Sequence, residues 1–195
     1  MPRMPGVAGE GYPPELESEA VVAHGLSVRL RPIRADDAGK LVEFHAGLTE
    51  RSVYRRYFFL HPRLAPLEVE RLTHVDYRDR LALIVEVDDV LVAVGRYDRL
   101  PGAARAEVAF VVADEFQRHG IAGLLLDRLA AAAWGNGITV FVAQTLRENR
   151  AMLAVFLRSG FPVSSTSEYG TTSVEFPIDP DGRRPDPRHG PHRTP

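Results

Sequence analysis

The sequence predicts a mixed α/β (α+β) domain built on one mostly antiparallel sheet, and three observations support that class. Apolar runs at 81–87 and 90–95 flank an Asp-Asp pair, which is the pattern of a β-hairpin with a tight polar turn. A Pro-Gly turn then leads into a third apolar run at 106–112, so three sequential antiparallel strands are expected. The segment 106–143 has the pattern strand, helix, strand. A long connection that contains a helix joins parallel strands, so the two strands of this unit should be parallel.

Helices are expected between the first strand and this hairpin. Alternating residues at 27–33 predict the first strand, and the acidic pair at 36–37 can cap a helix with an apolar face. Thr49 offers the cap of a second helix, which Pro62 stops. A third helix is expected after Pro66.

The remaining elements alternate between helix and strand. The crossover helix is expected at 120–134 and its parallel strand at 138–143. Residues 149–159 carry an apolar face at helical spacing, and a glycine ends that helix. Val163 and residues 172–176 complete the sheet.

The composition is that of a single globular domain. At 195 residues, of which 45% are hydrophobic, the chain is long enough to bury one core. A formal net charge of -2 provides no global field that would attract nucleic acid or an anionic membrane, so neither is expected as a partner. The absence of cysteine excludes disulfides, thiolate metal sites and an acyl-cysteine intermediate on this chain.

The chain is expected to divide into an N-terminal extension at 1–26, one domain at 27–177 and a disordered tail at 178–195. The extension contains several glutamates and no continuous apolar core, so neither a signal peptide nor a membrane span is expected. A cytoplasmic location follows by default. The tail contains His189 and His192, which could capture a metal, but a solvated tail explains them and no metal is expected.

A turn that suits a phosphate group follows the third apolar run. Residues 111–125 lead from an apolar strand through a polar loop into an amphipathic helix. Gly120 and Gly123 can take backbone angles that a side chain would forbid, and the unpaired amides of a helix start favour an anion. Arg118 and His119 add donors there. The spacing differs from both the dinucleotide-binding and the Walker patterns, and an ordinary strand-to-helix connection is the alternative.

The pattern Gln-x-x-Gly-x-Ala that begins at Gln117 resembles the acyl-CoA pyrophosphate signature of the GNAT superfamily of N-acetyltransferases. The segment from Asn149 to the Ser-Gly-Phe at 159–161 is similar to the second cofactor element of that family. The resemblance covers residues 27–177 and implies the GNAT fold, in which the parallel fourth and fifth strands splay apart and helices flank the sheet.

The resemblance also implies acetyl-CoA as the co-substrate and a set of residues that would bind it. Backbone groups of Phe110, Val111 and Val112 would meet the pantetheine arm, and Asn149 would hold the pantetheine or the nucleotide. The pyrophosphate would lie against one continuous run, namely Gln117, Arg118, His119, Gly120, Ile121 and Ala122. The family commonly has glycine at the last of these positions, where alanine is tolerated.

Glu107 is predicted to be the general base. The amine must be neutral to attack a thioester, and similar acetyltransferases have a glutamate on this strand. Glu107 shares a strand face with Ala109 and Val111, and apolar surroundings help a carboxylate to take up a proton near neutral pH. The alternatives are an exposed strand carboxylate or an ion-pair partner for Arg96 or Arg105.

The general acid stays unassigned. Many family members have a tyrosine four residues before the glycine of the second element, where it protonates the departing thiolate, but this chain has Phe156 there. Tyr169, Tyr97 or a water molecule are the alternatives.

The run 52–59 resembles the corresponding segment of bacterial protein-lysine acetyltransferases. For Tyr57 and Phe58, a place in the core is the alternative interpretation, and the arginines of the run could be a solvated face. His74 and Asp76 are equally ambiguous.

The leading hypothesis is therefore direct transfer of acetyl from acetyl-CoA to an amine, preferably that of a protein lysine, in a ternary complex. A small amine is the second hypothesis, because one sequence does not define the acceptor. A non-catalytic acyl-CoA sensor is the third, because of Phe156. Acyl-chain preference, oligomeric state and effectors are not predicted.

Overall fold

A computed structural model describes residues 11–59 and 61–183. Eight strands are present in this part of the chain: β1 Ser18–Val22, β2 Leu26–Pro32, β3 Arg80–Val87, β4 Val90–Arg99, β5 Arg105–Val112, β6 Val140–Leu146, β7 Ser164–Glu168 and β8 Thr171–Pro177. Five α-helices accompany them: α1 Ala38–Ala46, α2 Glu50–Tyr57, α3 Pro66–Thr73, α4 Ile121–Gly135 and α5 Arg150–Leu157.

The strands form one sheet in the order β1-β2-β3-β4-β5-β6-β8-β7. Neighbours pair in antiparallel fashion except for β5 and β6, which are parallel and are joined through α4. The predicted fold class is therefore confirmed, including the parallel pair that the crossover length required.

The sheet begins within the segment that the sequence assigned to an N-terminal extension. Strand β1 pairs with β2 from Ser18 opposite Leu30 to Val22 opposite Leu26. Its outer edge has no further strand among the described residues, and Val21 is exposed while Val22 packs against the core. Such a short edge strand needs few apolar residues, so its sequence lacks a clear alternating pattern.

The start of the expected disordered tail also belongs to the folded domain. Ile178 is buried, and Arg183 stacks over the ring of Phe161 while its Nη2 donates to Asp127 at 2.9 Å. These contacts order the chain as far as residue 183. The remainder of the predicted tail, with His189 and its neighbouring histidine, lies outside the described residues.

Helices cover the two faces of the sheet unequally. Helix α4 buries one apolar side against the centre of the sheet, and α5 covers the same face further along. Helix α1 lies on the opposite face, where Leu41 and Phe44 pack with Ile33 and Ile84. The strand β5 therefore turns Ala106 and Val108 toward α4 and presents Glu107 and Val111 to the other side.

None of the helices in residues 11–59 and 61–183 combines the length and the apolar character needed to cross a membrane.

Candidate active site

The two parallel strands separate soon after they begin to pair. Their register runs only from Arg105 opposite Val140 to Glu107 opposite Val142, although both strands continue for several residues beyond that point. Past this pair, β5 bonds to β4 and β6 bonds to β8, but they do not bond to each other. A wedge-shaped gap thus opens inside the sheet, and Glu107 lies at its vertex.

The predicted pantetheine segment borders this gap. Residues Phe110, Val111 and Val112 pair with β4 along one edge only, so their other backbone edge faces the opening. The side chain of Phe110 is buried in the core under α4. An extended ligand could therefore add to β5 in the manner of a strand, as backbone-mediated recognition requires.

The predicted pyrophosphate turn lies at the end of the same strand. Arg118 and Gly120 have positive φ angles of 66 and 85 degrees, and α4 begins at Ile121. A Cβ placed on Gly120 or Gly123 would meet no heavy atom within 4 Å, so the backbone at the helix start is open. The amides of a first helical turn lack intrahelical partners and favour an anion.

The side chain of Gln117 does not point into that opening. Its Nε2 donates to Ser52 Oγ at 3.2 Å and to the carbonyl oxygen of Val112 at 3.1 Å. It therefore ties the turn to α2 and to the end of β5. With its side chain engaged in this way, Gln117 has its backbone left to offer to a bound phosphate.

Asp114, which sequence reasoning missed, strengthens the same tie. Its carboxylate accepts hydrogen bonds from the backbone and the hydroxyl of Thr49, at 3.2 and 3.0 Å, and from Ser52 Oγ at 2.9 Å. Partial burial would raise the pKa of Asp114, but these donors lower it overall. These hydrogen bonds hold α2 against the start of the predicted pyrophosphate turn (the cofactor turn, residues 117–122).

The other predicted donors have different surroundings. Arg118 is exposed, whereas His119 is half-buried and its Nδ1 lies 3.0 Å from the carbonyl oxygen of Gln117. The carbonyl oxygen of His119 accepts from the backbone of Ala23 at 3.0 Å. The turn between β1 and β2 therefore touches the cofactor turn directly.

Asn149 lies at the same edge of the sheet, because the carboxyl ends of parallel strands point the same way. It caps α5, and its Oδ1 accepts from the backbone of Met152 at 3.3 Å. The side chain is 8% exposed. Asn149 and the cofactor turn thus lie at the ends of the two strands that form the gap.

Glu107 is exposed and lines a groove of about 570 Å³ that runs over β6, β8 and β7. The groove around it is lined by both apolar residues, such as Val140 and Val142, and polar ones, such as Gln144, so the environment of Glu107 is mixed and open to solvent. The expected alternative of an ion pair with an arginine is absent among the described residues. Arg105 bonds to Glu175 at 2.5 Å, and Arg96 bonds to Asp98 at 3.1 Å.

The tyrosines considered as general acids lie elsewhere. The Tyr97 hydroxyl donates to the carbonyl of Arg78 at 2.9 Å and accepts from Asn136, and burial raises its pKa to about 12. Tyr169 is fully exposed in the β7–β8 turn. Phe156 is buried, with its ring centroid 6.1 Å from that of Phe110.

Tyr57 packs on the face of the sheet that carries Glu107, since it lines a cavity with Ala109 and Val111. It is half-buried and lines a small cavity with Arg96, Ala109 and Val111, and burial raises its pKa. Phe58, by contrast, is exposed at the left-handed end of α2 and does not belong to the core. Tyr57 is therefore only partly a core residue, and Phe58 is not a core residue.

His74 and Asp76 have local structural roles. His74 is exposed at the end of α3, and its Nδ1 lies 3.0 Å from the carbonyl of Glu70. Asp76 Oδ1 accepts from three successive backbone amides, at 2.8 to 2.9 Å, which holds the turn before β3. Within the described part of the chain, no cluster of three or more His, Cys, Asp or Glu residues could bind a metal ion.

A parallel strand pair that splays beside a glycine turn at a helix start defines the class of GNAT acetyltransferases. In agreement, residues 49–161 match the model of the acetyltransferase (GNAT) family, and the chain belongs to that family. As a member of this family, the chain is of the acetyltransferase type.

The chain is similar to Acetyltransferase Pat of Mycolicibacterium smegmatis, with 29% identity over 154 residues that cover 77% of this chain. That match spans only 46% of the relative, so the chain corresponds to about half of its length. The GNAT domain of S. lividans PAT is 37% identical, with a TM-score of 0.80 over 85% of this chain and 99% of that domain.

A more distant structure has the same fold. Spermidine N-acetyltransferase from Vibrio cholerae, solved in complex with CoA and spermine, is 16% identical with a TM-score of 0.61. The match covers 77% of this chain and 95% of that one.

Proposed function

We propose that this protein transfers the acetyl group of acetyl-CoA to the side-chain amine of a protein lysine, directly and in a ternary complex. The observation that carries this proposal is the open groove that begins at Glu107, beside the gap between β5 and β6. A thioester whose pantetheine arm lies along Phe110–Val112 would bring its carbonyl carbon to the inner end of that groove.

The extent of the groove favours a polypeptide acceptor. From β5 it crosses to β6, β8 and β7, which is about 14 Å at the usual spacing of about 4.8 Å between strands. That distance is longer than a lysine side chain, so a segment of backbone can lie in the groove while one amine reaches its end. The exposed hydroxyl groups of Ser164 and Thr166 offer partners for such a segment.

The charge of the groove does not favour a polyamine. A site for a ligand with several positive charges requires several free carboxylates. Two carboxylates line the groove, and one of them, Glu175, is already paired with Arg105 at 2.5 Å. Glu107 then remains to attract a single ammonium group, which matches one lysine.

The proposed chemistry needs one base and no covalent enzyme intermediate. Glu107 takes a proton from the lysine ammonium, directly or through water, and the neutral nitrogen attacks the thioester carbonyl. The carbon–nitrogen bond forms, the carbon–sulfur bond breaks, and CoA leaves as the thiolate, which takes up, directly or through water, the proton that the acylated nitrogen releases. A backbone amide near Val112 would stabilise the charge on the carbonyl oxygen. The absence of cysteine agrees with direct transfer.

Isotope transfer from labelled acetyl-CoA tests this proposal. The protein is incubated with labelled acetyl-CoA and a soluble cell extract, and the label in macromolecules is separated from that in small molecules. A no-enzyme sample and the variant Glu107→Gln are the controls. Enzyme-dependent label on protein lysines supports the proposal. Label confined to small molecules would replace it with a small amine acceptor, and binding of acetyl-CoA without transfer would indicate a sensor.

A further inference from the structure

The turn between β1 and β2 lies outside the region that matches the family, yet it contacts the cofactor turn. The backbone amide of Ala23 donates to the carbonyl oxygen of His119 at 3.0 Å. This hydrogen bond joins the N-terminal hairpin to the residue just before Gly120. The hairpin therefore forms one side of the opening at the start of α4.

The same contact brings two histidines together. The ring of His24 lies edge-on to that of His119, with 5.4 Å between the centroids and 81 degrees between the planes. His24 is exposed, and no ion pair with a carboxylate is present at either ring among the described residues. The ring nitrogens of His24 are therefore available to a ligand that enters from solvent.

The charges around this pair suit an anion. Arg118 is exposed one residue before His119, and the free amides at the start of α4 carry partial positive charge. The acetyl-CoA that this family uses carries its negative charge on the pyrophosphate and the 3′-phosphate of the nucleotide. The phosphates are thus the chemical groups that fit the space between the two turns.

We propose that the β1–β2 turn is part of the cofactor site and that His24, together with His119, donates hydrogen bonds to a phosphate of the CoA nucleotide. The proposal rests on the acetyl-CoA dependence of the proposed function but not on the identity of the acceptor. It assigns a binding role to the strand pair β1 and β2, which precedes the cofactor motif by about ninety residues of sequence.

Binding of CoA and of dephospho-CoA to the full chain, measured by calorimetry, tests this role. The variant His24→Asn removes the imidazole, and asparagine tolerates the positive φ of 64 degrees at this position. The matched control is His74→Asn, which changes an exposed histidine at the end of α3. Loss of a hydrogen bond to a charged group predicts about tenfold or more weaker binding of CoA to His24→Asn.

The two ligands identify which phosphate is bound. Weaker binding of CoA alone assigns His24 to the 3′-phosphate, because dephospho-CoA lacks that group. Weaker binding of both ligands assigns it to the pyrophosphate. Unchanged affinity for both, with normal binding to the control, would overturn the proposal.

The hydrogen bond from Ala23 gives a second measurement. Ala23→Pro removes the donating N–H, and the extended backbone of Val22 is compatible with a following proline. We expect this variant to weaken CoA binding in the same way as His24→Asn, because the turn is no longer held against His119. Unchanged CoA binding by Ala23→Pro would contradict the role of the turn. Because these measurements use CoA without an acceptor, their outcome is separate from the test of lysine transfer.

Discussion

Glu107 lies directly opposite Asp98 in the antiparallel register of β4 and β5. Two carboxylates in this position repel each other unless a cation pairs with at least one of them. Asp98 has such partners, because its two oxygens accept from Arg80 at 2.9 Å and from Arg96 at 3.1 Å. Burial would raise the pKa of Asp98, but these arginines lower it overall. Glu107 is thus left as the unpaired carboxylate at the vertex of the gap.

Replacement of Glu107 should remove catalysis without unfolding the protein. For Glu107→Gln we expect kcat to fall by about a hundredfold, because a positioned base contributes about that much, and the acidic limb of the pH–rate profile to disappear. The melting temperature should not change, since the side chain is exposed. The control is Glu19→Gln, an exposed strand glutamate on β1. Unchanged turnover with an unchanged pH profile would exclude Glu107 as the base.

Ser52 should affect the cofactor although it lies on α2. Its hydroxyl donates to Asp114 at 2.9 Å and accepts from Gln117 at 3.2 Å, and the residue is 6% exposed. For Ser52→Ala we expect a loss of about 1–2 kcal/mol in the free energy of unfolding, because both partners lose a hydrogen bond.

The kinetic effect separates positioning from stability. The KM for acetyl-CoA should rise severalfold in Ser52→Ala, while kcat at saturating acetyl-CoA changes little, because the turn loses its tie to α2 but Glu107 is untouched. Steady-state kinetics and urea unfolding measure the two effects, with Ser27→Ala on the exposed side of β2 as the control. Reduced stability with an unchanged KM would show that the tie is only structural.

Gly95 allows α4 to pack closely against the sheet. A Cβ at this position would lie 3.0 Å from Phe110, 3.1 Å from Leu129 and 3.2 Å from Leu125. For Gly95→Ala we expect the free energy of unfolding to fall by about 1–3 kcal/mol, because the core is overpacked. Weaker cofactor binding should accompany this loss, since Phe110 borders the gap.

Gly39 provides the opposite case for the same substitution. It lies in α1, and a Cβ there would meet no atom within 4 Å. Gly39→Ala should therefore stabilise the protein by about 0.5–1 kcal/mol through helix propensity. Thermal unfolding of both variants measures the two changes in the free energy of unfolding. Equal changes in Gly95→Ala and Gly39→Ala would contradict the close approach at Gly95.

The sequence predicts helices and strands best where apolar residues recur at one regular spacing over a long segment. The helix expected at 120–134 is observed as Ile121–Gly135, and the strand expected at 106–112 is observed as Arg105–Val112. Strand β7 shows the limit, because every residue of Ser164–Glu168 is exposed and polar. Its backbone pairing with β8 holds it in the sheet, and no hydrophobic pattern marks it.

The site was predictable to the extent that it is local in sequence. The glycine turn and the strand before it form one continuous motif, and the structure brings them to the gap as expected. The hydrogen bond between Gln117 and Ser52 joins residues 65 positions apart, and the contact of His24 with His119 spans nearly a hundred. Such contacts depend on how helices and turns pack, which residue spacing does not contain.

A buried ionic network predicts how stability depends on pH. Arg31 lies between Asp37, at 2.6 Å from Nη2, and Glu86, at 3.0 Å from Nε, and Lys40 also donates to Glu86. Burial would raise the pKa of Glu86, but Arg31 and Lys40 hold it below its ordinary value of 4.5. The pKa in the folded chain is thus lower than in the unfolded chain.

A carboxyl with a lowered folded pKa stabilises the fold above its unfolded pKa, and this contribution is lost as the pH falls through the folded pKa. The free energy of unfolding should therefore fall when the pH drops below about 4.5, as carboxylates such as Glu86 become protonated.

In Glu86→Gln this part of the pH dependence should be missing. The variant should also lose about 3–5 kcal/mol at pH 7, because Arg31 keeps only one carboxylate in a buried position. Urea unfolding at pH 7 and pH 4 measures both effects, with the exposed Glu43→Gln in α1 as the control. If wild type and Glu86→Gln lost the same free energy between the two pH values, the acid sensitivity would arise from other carboxylates.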